Sequence, residues 1–484
     1  MNRDMKSKSI YLIMAAALLI LGGCKKFLEV QPQGKYTQDQ VFSNEIAIQQ
    51  ALNGIYNNIA SNNLYGANLT NTVIESLGQR WAPNQQAISL YQAYTYTKTT
   101  SEATFESIWT SAYANILQAN QFIQQIDVAA KNGVISSQHA TELKGEAIGL
   151  RAFMHFDLLR LFGPVMKTSP TGAAIPYYTK ADAVTRPILN ATQAIDSVLA
   201  DLNTAKNLLS SDPIITKGPD TTSHDYYVGS RNQRFNYYAV IALQARAYLY
   251  EGDNADANAT AKTALAAFDK WFPWMVYTDI VNNANPDRIF APEMIFGVYN
   301  PNMYVNYLAY FSPTLTSTQI VTATPTMVQT VFENNTNDYR YSSTWATGTG
   351  TTAGLEIFNK YADLTDATRP WRFIQPLIRK SELYYILAET DPSLTSQLNY
   401  LNTVRNNRGL ANLPTTTTNA TLITEIQKEY WKEFWGEGQI FFYYKRMNFQ
   451  YVPSAANDYN SSDTFYEISP IYQVPLPLSE TTPR

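Results

Sequence analysis

Apolar residues recur at steps of three and four along much of the chain, and the longest such stripe lies in its first third. The stripe consists of Leu143, Ala147, Leu150, Met154, Leu158 and Leu161. This spacing places every member on one face of a long helix. Gly163 and Pro164 predict the end of that helix, since glycine caps helix C-termini and proline cannot continue a helix. Arg151, Asp157 and Arg160 lie off the stripe and could bond to a neighbouring element.

A lone helix cannot bury such a stripe, and the same periodicity predicts further helices that could cover it. They span residues 45–60, 104–127, 192–209, 376–389, 393–408 and about 420–438. Residues 235–268 predict a helix pair with alanines at the crossing and a tight turn at Gly252, which resembles a tetratricopeptide unit. An ordinary helical hairpin fits that one pair equally well. The whole pattern favours a mainly α fold, a tetratricopeptide-like scaffold of helix pairs.

Two long segments interrupt the helical pattern. Residues 64–100 lose the periodicity and predict loops with short strands. Residues 270–372 are rich in proline, threonine, asparagine and aromatic residues, and they are too long for a simple connection. We therefore predict a loop-rich inserted lobe there, and a tail after residue 438 that is mostly loop.

The N-terminus predicts export and lipid anchoring. Three basic residues precede an almost purely apolar stretch at residues 10–21, and two glycines then lead to Cys24, the only cysteine of the chain. This is typical of a signal peptide, here residues 1–23, that is too short to remain as a membrane-spanning helix. The residues before Cys24 look like a bacterial lipobox, which would make Cys24 the lipidated first residue of the mature protein. A tether at residues 24–42 would then lead to a single domain at residues 43–484.

Composition narrows the functional classes. The chain has 484 residues, a formal net charge of −4 and no basic run after the N-terminus, which argues against nucleic acid as a partner. A single cysteine excludes a disulfide framework and a cysteine-based zinc site. The 34 tyrosines are the unusual feature, because a flat apolar face with a polar tip suits a recognition surface.

Motifs for catalysis are weak in this sequence. Glu429, Glu433 and Glu437 recur every fourth residue and share one helix face, but such carboxylates are usually solvated or paired with bases such as Lys432 or Arg446. The three histidines show no metal-ligand spacing, and we expect His155 to be packed or to cap a helix. We therefore predict no catalytic residue, no bound metal and no cofactor.

The aromatic residues of the irregular segments are the better functional signal. Sugar rings pack their C–H faces on aromatic planes, and their hydroxyls bond to neighbouring amides, carboxylates and guanidinium groups. The residues with this combination are Glu75, Arg80, Trp81, Asn84, Tyr94, Tyr96, Tyr299, Tyr304, Tyr307 and Trp345. Asn300, Asn302 and Asn306 interleave with the tyrosines of the inserted lobe. We predict that these residues bind the ligand, whereas Trp109, within an amphipathic helix, belongs to the core.

Several stretches resemble the SusD/RagB family of outer-membrane nutrient-binding lipoproteins. They are residues 24–34, 146–165, 381–389, 401–410, 429–438 and 445–447, in the order of the family. The second stretch, Glu-Ala-Ile-Gly-Leu-Arg-Ala-Phe-Met-His-Phe-Asp-Leu-Leu-Arg-Leu-Phe-Gly-Pro-Val, resembles its most recognisable segment. Together the stretches span nearly the whole chain.

The resemblance implies a SusD-like fold, in which four tetratricopeptide-like helix pairs carry a ligand site built from both irregular segments. It also implies a non-catalytic lipoprotein that binds an oligosaccharide and delivers it to a SusC-like TonB-dependent transporter in the outer membrane. We expect the protein to face the cell exterior. One departure is that Lys25 and Lys26 stand where surface-exported relatives often carry acidic residues.

Three alternatives remain open at this point. The same fold could bind peptides, as the RagB side of the family implies. A surface glycoside hydrolase would need two inward carboxylates close together in a cleft. A helical-repeat assembly scaffold would need no small ligand, but it would leave the aromatic loops without a role.

Overall fold

The computed structural model describes residues 38–84, 86–281, 283–459 and 467–482. The predicted signal peptide, the lipidation site Cys24 and the tether up to residue 37 lie outside the described residues. Helices dominate the described part of the chain, which confirms the prediction of a mainly α fold.

The elements are numbered here in chain order. The helices are α1 (Gln38–Val41), α2 (Glu45–Ile59), α3 (Val73–Leu77), α4 (Gln86–Gln92), α5 (Thr99–Lys131), α6 (Ser137–Phe162), α7 (Ala191–Leu208), α8 (Ile214–Lys217), α9 (Tyr237–Glu251), α10 (Asn254–Trp271), α11 (Tyr277–Ile280), α12 (Met303–Tyr310), α13 (Pro325–Val331), α14 (Tyr339–Thr344), α15 (Lys380–Thr390), α16 (Leu394–Asn406), α17 (Asn419–Glu433), α18 (Ile440–Met447) and α19 (Leu478–Thr481). The strands are β1 (Ala173–Pro176), β2 (Ile188–Asn190), β3 (Met294–Tyr299), β4 (Trp345–Thr347), β5 (Glu356–Phe358), β6 (Ile374–Arg379), β7 (Val452–Pro453) and β8 (Glu467–Ile468).

A row of long helices forms the scaffold. In packing order the row is α2, α5, α6, α7, α9, α10, α15 and α16, and each helix contacts the next. The predicted tetratricopeptide-like pair is α9 and α10, which a left-handed Gly252 separates before Asp253 accepts a hydrogen bond from the amide of Asp256 and caps α10. These contacts confirm the helix-pair scaffold.

Helix α6 is the central element of the scaffold and is buried on all sides along its second half. Buried charged residues of this half have partners inside the protein. Arg151 binds Asp201 of α7 through two guanidinium nitrogens, at 2.7 and 2.6 Å, and Arg160 binds Asp157. His155 packs against the ring of Tyr177 and accepts the amide hydrogen of Tyr178, which confirms that it is a packed histidine. The sequence predicted one apolar face on this helix, whereas every face of its second half is buried.

The inserted lobe begins and ends at one place. Strands β3 and β6 pair antiparallel, from Met294 opposite Arg379 to Tyr299 opposite Ile374, and residues 300–373 run out from this base and return to it. The lobe has its own hydrophobic core, separate from that of the scaffold.

Four local expectations were wrong. Residues 374–379 form strand β6 rather than the first turn of a helix, because this fully buried run pairs with β3. The described residues between 64 and 100 form turns and the short helices α3 and α4, not strands. Helix α18 occupies the start of the tail that was expected to be loop, and α1 occupies the end of the expected tether.

Candidate functional site

The two tryptophans predicted to bind the ligand lie in the core of the lobe instead. Trp81 is fully buried, with the rings of Phe358 and Phe311 at centroid distances of 5.1 and 5.4 Å, and its indole nitrogen donates to the carbonyl of Asn71. Trp345 packs against Phe358 and Trp435 in the same cluster. The expectation that these two rings face a ligand is wrong for this structure.

Glu75 and Arg80 are also buried, where they contact residues 429–438, which we call the C-terminal motif. The guanidinium of Arg80 lies 3.8 Å from the ring centroid of Trp435 and donates to the carbonyl of Trp431. Glu75 accepts the amide hydrogen of Gly438 at 2.8 Å. Burial raises the pKa of Glu75 to about 7, although Arg80 and the glycine amides oppose the rise. Both side chains therefore stabilise the fold and are not accessible to a ligand.

Four further predicted residues bond to the protein itself. They are Asn84, which donates to the carbonyls of Ser317 and Ile320, Tyr94, which donates to the carbonyl of Leu77, Tyr96, which donates to the carbonyl of Ile471, and Tyr307, which donates to Asn359. The three tyrosines are buried and Asn84 is partly exposed. Tyr94 and Tyr96 lie in the turn that follows α4. These hydrogen bonds hold the three tyrosine side chains inside the protein.

Tyr299 and Tyr304 are the predicted residues that present their rings to solvent, with 49 and 37% of each residue exposed. Tyr299 ends strand β3, and Tyr304 lies in the first turn of α12, so both rings stand on ordered backbone. The ring of Tyr304 is parallel to that of the buried Tyr307, at a centroid distance of 6.4 Å and an angle of 11°. Their side chains are thus held outward by the elements beneath them.

The asparagines of this segment explain how α12 is fixed. Asn300 and Asn306 are buried and both donate to the carbonyl of Gly66, at 3.2 and 3.1 Å. Asn306 also donates to the exposed Asn62 at 2.8 Å. A Cβ at position 66 would collide with the carbonyl oxygen of Ala60, so glycine is the residue that fits at this position. Two of the asparagines are therefore structural, while Asn302 is exposed.

Two partly exposed aromatic residues that the sequence reasoning did not select complete the surface. Phe373 meets Tyr299 edge-on at 6.1 Å, and Trp371 lines the same small crevice as Phe373 and Met303. We call Tyr299, Tyr304, Trp371 and Phe373 the aromatic band. The run Trp371-Arg372-Phe373, with a cation between two aromatic residues at the end of the predicted lobe, is the signal that could have identified them.

The crevice within the band is small, and polar groups lie beside its rings. Arg372 binds Asp363 through two hydrogen bonds of 2.6 and 2.7 Å, and these bonds hold the pKa of Asp363 below its ordinary value. The crevice between Trp371, Phe373 and Met303 has a volume of about 30 Å³, which is close to that of one water molecule. A ligand would therefore lie across the rings rather than enter a pocket.

The carboxylates of the C-terminal motif are engaged in ion pairs. Glu433 is fully enclosed by the guanidinium groups of Arg340, Arg379 and Arg408, and Glu437 pairs with Arg379 and Lys360. Burial alone would raise the pKa of Glu429, but the neighbouring cations outweigh it and lower the pKa to about 2. Lys432 pairs with Glu429 as expected, whereas Arg446 binds Glu389 instead. Trp109 lies in the core, as predicted.

Neither a metal site nor a membrane-spanning helix is present in the part of the chain that the structure describes. No group of three or more histidine, cysteine, aspartate or glutamate side chains in those residues could hold a metal ion. Within the same residues, no helix combines the length and apolar character needed to cross a bilayer.

Comparison with known families gives two matches that follow one another along the chain. A family described as "Starch-binding associating with outer membrane" matches residues 26–249. The "SusD family" matches residues 250–472. The two matches together extend over nearly the entire sequence.

Curated relatives are distant. A SusD-like protein of Formosa agariphila is 24% identical over 279 residues, which are 56% of this chain and 47% of the relative. A SusD-like protein of Bacteroides ovatus is 24% identical over 205 residues, which are 42% of this chain and 35% of the relative. The chain thus matches about half or less of the length of these relatives.

Solved structures share the fold over most of the chain. A SusD superfamily protein from Bacteroides thetaiotaomicron has a TM-score of 0.68 at 20% identity, with 90% of this chain and 96% of that chain covered. A SusD-like carbohydrate binding protein from Bacteroides vulgatus has a TM-score of 0.65 at 21% identity and 84% coverage of both chains. A laminarin binding SusD-like protein has a TM-score of 0.62 at 18% identity, with 91% of this chain and 97% of that chain covered.

Proposed function

Because this chain belongs to the SusD/RagB family, we propose that it is a non-catalytic glycan-binding lipoprotein of the outer membrane. In this proposal Cys24 carries the lipid anchor, the protein faces the cell exterior, and bound oligosaccharide passes to a SusC-like TonB-dependent transporter. The laminarin binding relative with the same fold supports a carbohydrate ligand.

The aromatic band is the observation that carries the proposal. Tyr299 and Tyr304 expose flat rings on ordered backbone, and Arg372 and Asp363 supply polar groups nearby. A shallow surface of this kind suits a polymer that lies along it, since a pocket for a single small molecule would enclose most of its ligand. Ring stacking and a few hydrogen bonds would then give binding without any bond being cleaved.

The ion pairs of the C-terminal motif support a binding role over hydrolysis. A glycosidase needs one carboxyl group that can give a proton and a second one that can act on the sugar or on water. Glu429 and Glu433 are enclosed and held ionised by arginines, and their pKa values lie below the ordinary value. They are therefore suited to joining elements rather than to acid catalysis.

Binding is tested with affinity electrophoresis of the detergent-solubilised mature protein against laminarin, starch, xylan, levan and pectin. We expect at least one polysaccharide to retard the protein, and Tyr304→Ala to weaken that binding about tenfold, equivalent to about 1.4 kcal/mol. Val305→Ala is the matched control, because Val305 is exposed on the same helix but has no ring.

Two results would contradict this proposal. Unchanged affinity in both Tyr299→Ala and Tyr304→Ala would remove the aromatic band as the site, and retention by none of the five polysaccharides would remove glycan binding. Recovery of a barrel transporter with the protein from detergent-extracted outer membranes tests the delivery step separately.

A further inference from the structure

A polar groove of about 420 Å³ lies beside Tyr299. Asn53 and Asn57 of α2 form one wall, and the loop of residues 223–234 forms the other. This volume falls within the range of about 300–1,000 Å³ that small-molecule sites occupy. The groove is thus large enough for a ligand, whereas the crevice near Trp371 is not.

The groove has an ordered aromatic floor. The guanidinium of Arg234 lies 3.7 Å from the ring centroid of Tyr226, and both side chains bond to the side-chain oxygen of Asn53, at 3.1 Å from Arg234 and 3.2 Å from Tyr226. The hydroxyl of Tyr226 also donates to the backbone carbonyl of Gln49 at 3.0 Å. These bonds fix the plane of Tyr226 before any ligand arrives, which lowers the entropy cost of binding.

The charges that line the groove are compensated by the protein. Arg234 has Glu146 within 3.4 Å, and one carboxylate oxygen of Asp225 accepts the amide hydrogens of Tyr227 and Val228, at 2.8 and 3.1 Å. The remaining lining consists of the imidazole of His224 and the hydroxyl and amide groups of Ser223, Ser230, Gln233 and Asn57, besides aromatic rings and a glycine. Such a surface suits a neutral polyhydroxylated ligand better than an ion.

The groove is continuous with the aromatic band through one residue. Tyr299 lines the groove and also meets Phe373 of the band edge-on. Because 49% of Tyr299 is exposed, a chain that lies on the band can pass over this ring and enter the groove.

We infer that this groove is a second sugar subsite, which holds further units of the same neutral oligosaccharide that lies on the aromatic band. The inference rests on the proposed glycan-binding function and adds a requirement on the ligand. Affinity should rise with chain length until the chain reaches from the band into the groove, so the protein would select long oligosaccharides over short ones.

The test uses a size ladder, from disaccharide to octasaccharide, prepared by partial hydrolysis of whichever of the five polysaccharides above retards the native protein. Binding of each member is measured by calorimetry. Asn57→Trp fills the groove from the exposed side of α2, and Gln50→Trp is its matched control, since Gln50 is exposed two helical turns earlier and does not line the groove. Tyr226→Ala removes the floor as a second, independent variant.

We expect Asn57→Trp and Tyr226→Ala to lose at least tenfold in affinity for the longest members and less than twofold for the shortest. Tyr304→Ala should weaken all lengths, and Gln50→Trp should weaken none. The preference for length should also persist at high salt, because the ligand is neutral.

Each other outcome overturns the inference in an identifiable way. Affinity that does not rise with length in the native protein, or a length preference that survives in both groove variants, removes the second subsite while glycan binding stands. A length preference that disappears at high salt contradicts a neutral ligand. If none of the five polysaccharides binds, the proposed function and this inference both fail.

Discussion

Trp81 is a tryptophan that lies among polar residues in the sequence and yet belongs to a core. Its neighbours Gln79 and Arg80 are themselves buried, and both bond to distant backbone, Gln79 to the carbonyl of Gln92 and Arg80 to that of Trp431. Local composition therefore resembles a surface loop, although the side chains of both residues are hydrogen-bonded inside the protein. Gln92 lies 13 positions from Gln79, but Trp431 lies 351 positions from Arg80, and no local pattern reveals so distant a partner.

Trp81→Ala should destabilise the protein rather than remove a ligand contact. The substitution would leave a cavity among Phe311, Phe358 and Trp435, and such changes typically cost about 3–5 kcal/mol. Denaturant unfolding would measure the loss, with Tyr304→Ala, which lies at the surface, expected to change stability by less than about 1 kcal/mol. Equal stabilities of the two variants would contradict the buried position of Trp81.

Glu142 provides a prediction on pH. Burial raises its pKa to about 8, with Glu146 and Asp212 adding to the rise and Arg231 and Arg234 opposing it. The ordinary pKa of this carboxyl group is 4.5. Below that pH the protonated side chain makes its full contribution to stability, and this contribution is lost as the pH rises towards 8. Arg231 is held more closely by Glu146 and Asp212, at 2.5 and 2.7 Å, than by Glu142, at 3.4 Å.

Glu142→Gln keeps a neutral side chain of similar shape at every pH. Between pH 5 and pH 8 we expect the native protein to lose stability relative to this variant, on the order of a few kcal/mol. Urea unfolding of both proteins at a series of pH values would measure it. Parallel stability profiles over that range would show that Glu142 is ionised in the folded state.

At the scale of elements, the sequence predicted the positions of several helices correctly, but it did not always predict which of their faces are buried. Helix α2 begins at Glu45 after the capping Asn44, as predicted, and α7 lies within one residue of its predicted bounds. Periodicity could do this because each of these helices has one buried face. Periodicity also predicted α6 and its end at Gly163, but it did not show that every face of the second half of this helix is buried, and it was wrong at β6, where a fully buried run has the same apolar content as a helix.

Two glycines test the packing of these helices. A Cβ at Gly149 of α6 would lie 2.4 Å from the ring of Phe235, whereas one at Gly54 of α2 would meet no atom within 4 Å. Gly149→Ala should therefore cost about 1–3 kcal/mol through overpacking. Gly54→Ala should add about 0.5–1 kcal/mol, since alanine is the better helix former.

Thermal or denaturant unfolding of the two variants would give this comparison directly. Both substitutions are chemically the same and both lie inside a helix, so helix propensity alone predicts the same sign for both. A stabilising effect of Gly149→Ala would show that α6 and Phe235 are not in close contact.

At the scale of the whole molecule, the scaffold and the lobe are joined by buried ion pairs. Glu433 of α17 binds Arg340 from the lobe, Arg379 at the base of the lobe and Arg408 after α16. These arginines are fully or almost fully buried, so each needs a carboxylate partner. The sequence placed the glutamates on one helix face, but it could not show that segments nearly a hundred residues apart meet there.

Glu433→Gln should destabilise the protein by about 3–5 kcal/mol, because it leaves buried arginines without their counter-charge. Since Glu433 connects both parts, we expect the native chain to unfold in one transition and the variant to lose this cooperativity. Near- and far-UV circular dichroism during denaturation would show it as coincident curves for the native chain and separated curves for the variant. Glu425→Gln, at a more exposed position of the same helix, is the control, and an effect of equal size there would contradict the special role of Glu433.

The pairing of β3 with β6 brings the two ends of the lobe together, where the backbone amide of Asn300 donates to the carbonyl of Phe373 at 2.7 Å. Residues 300–373 could therefore be exchanged between relatives as one cassette, provided that Trp81 and Trp435 still find a matching core. Such an exchange would replace Tyr304 and its neighbours on the lobe together, while the scaffold helices keep their order.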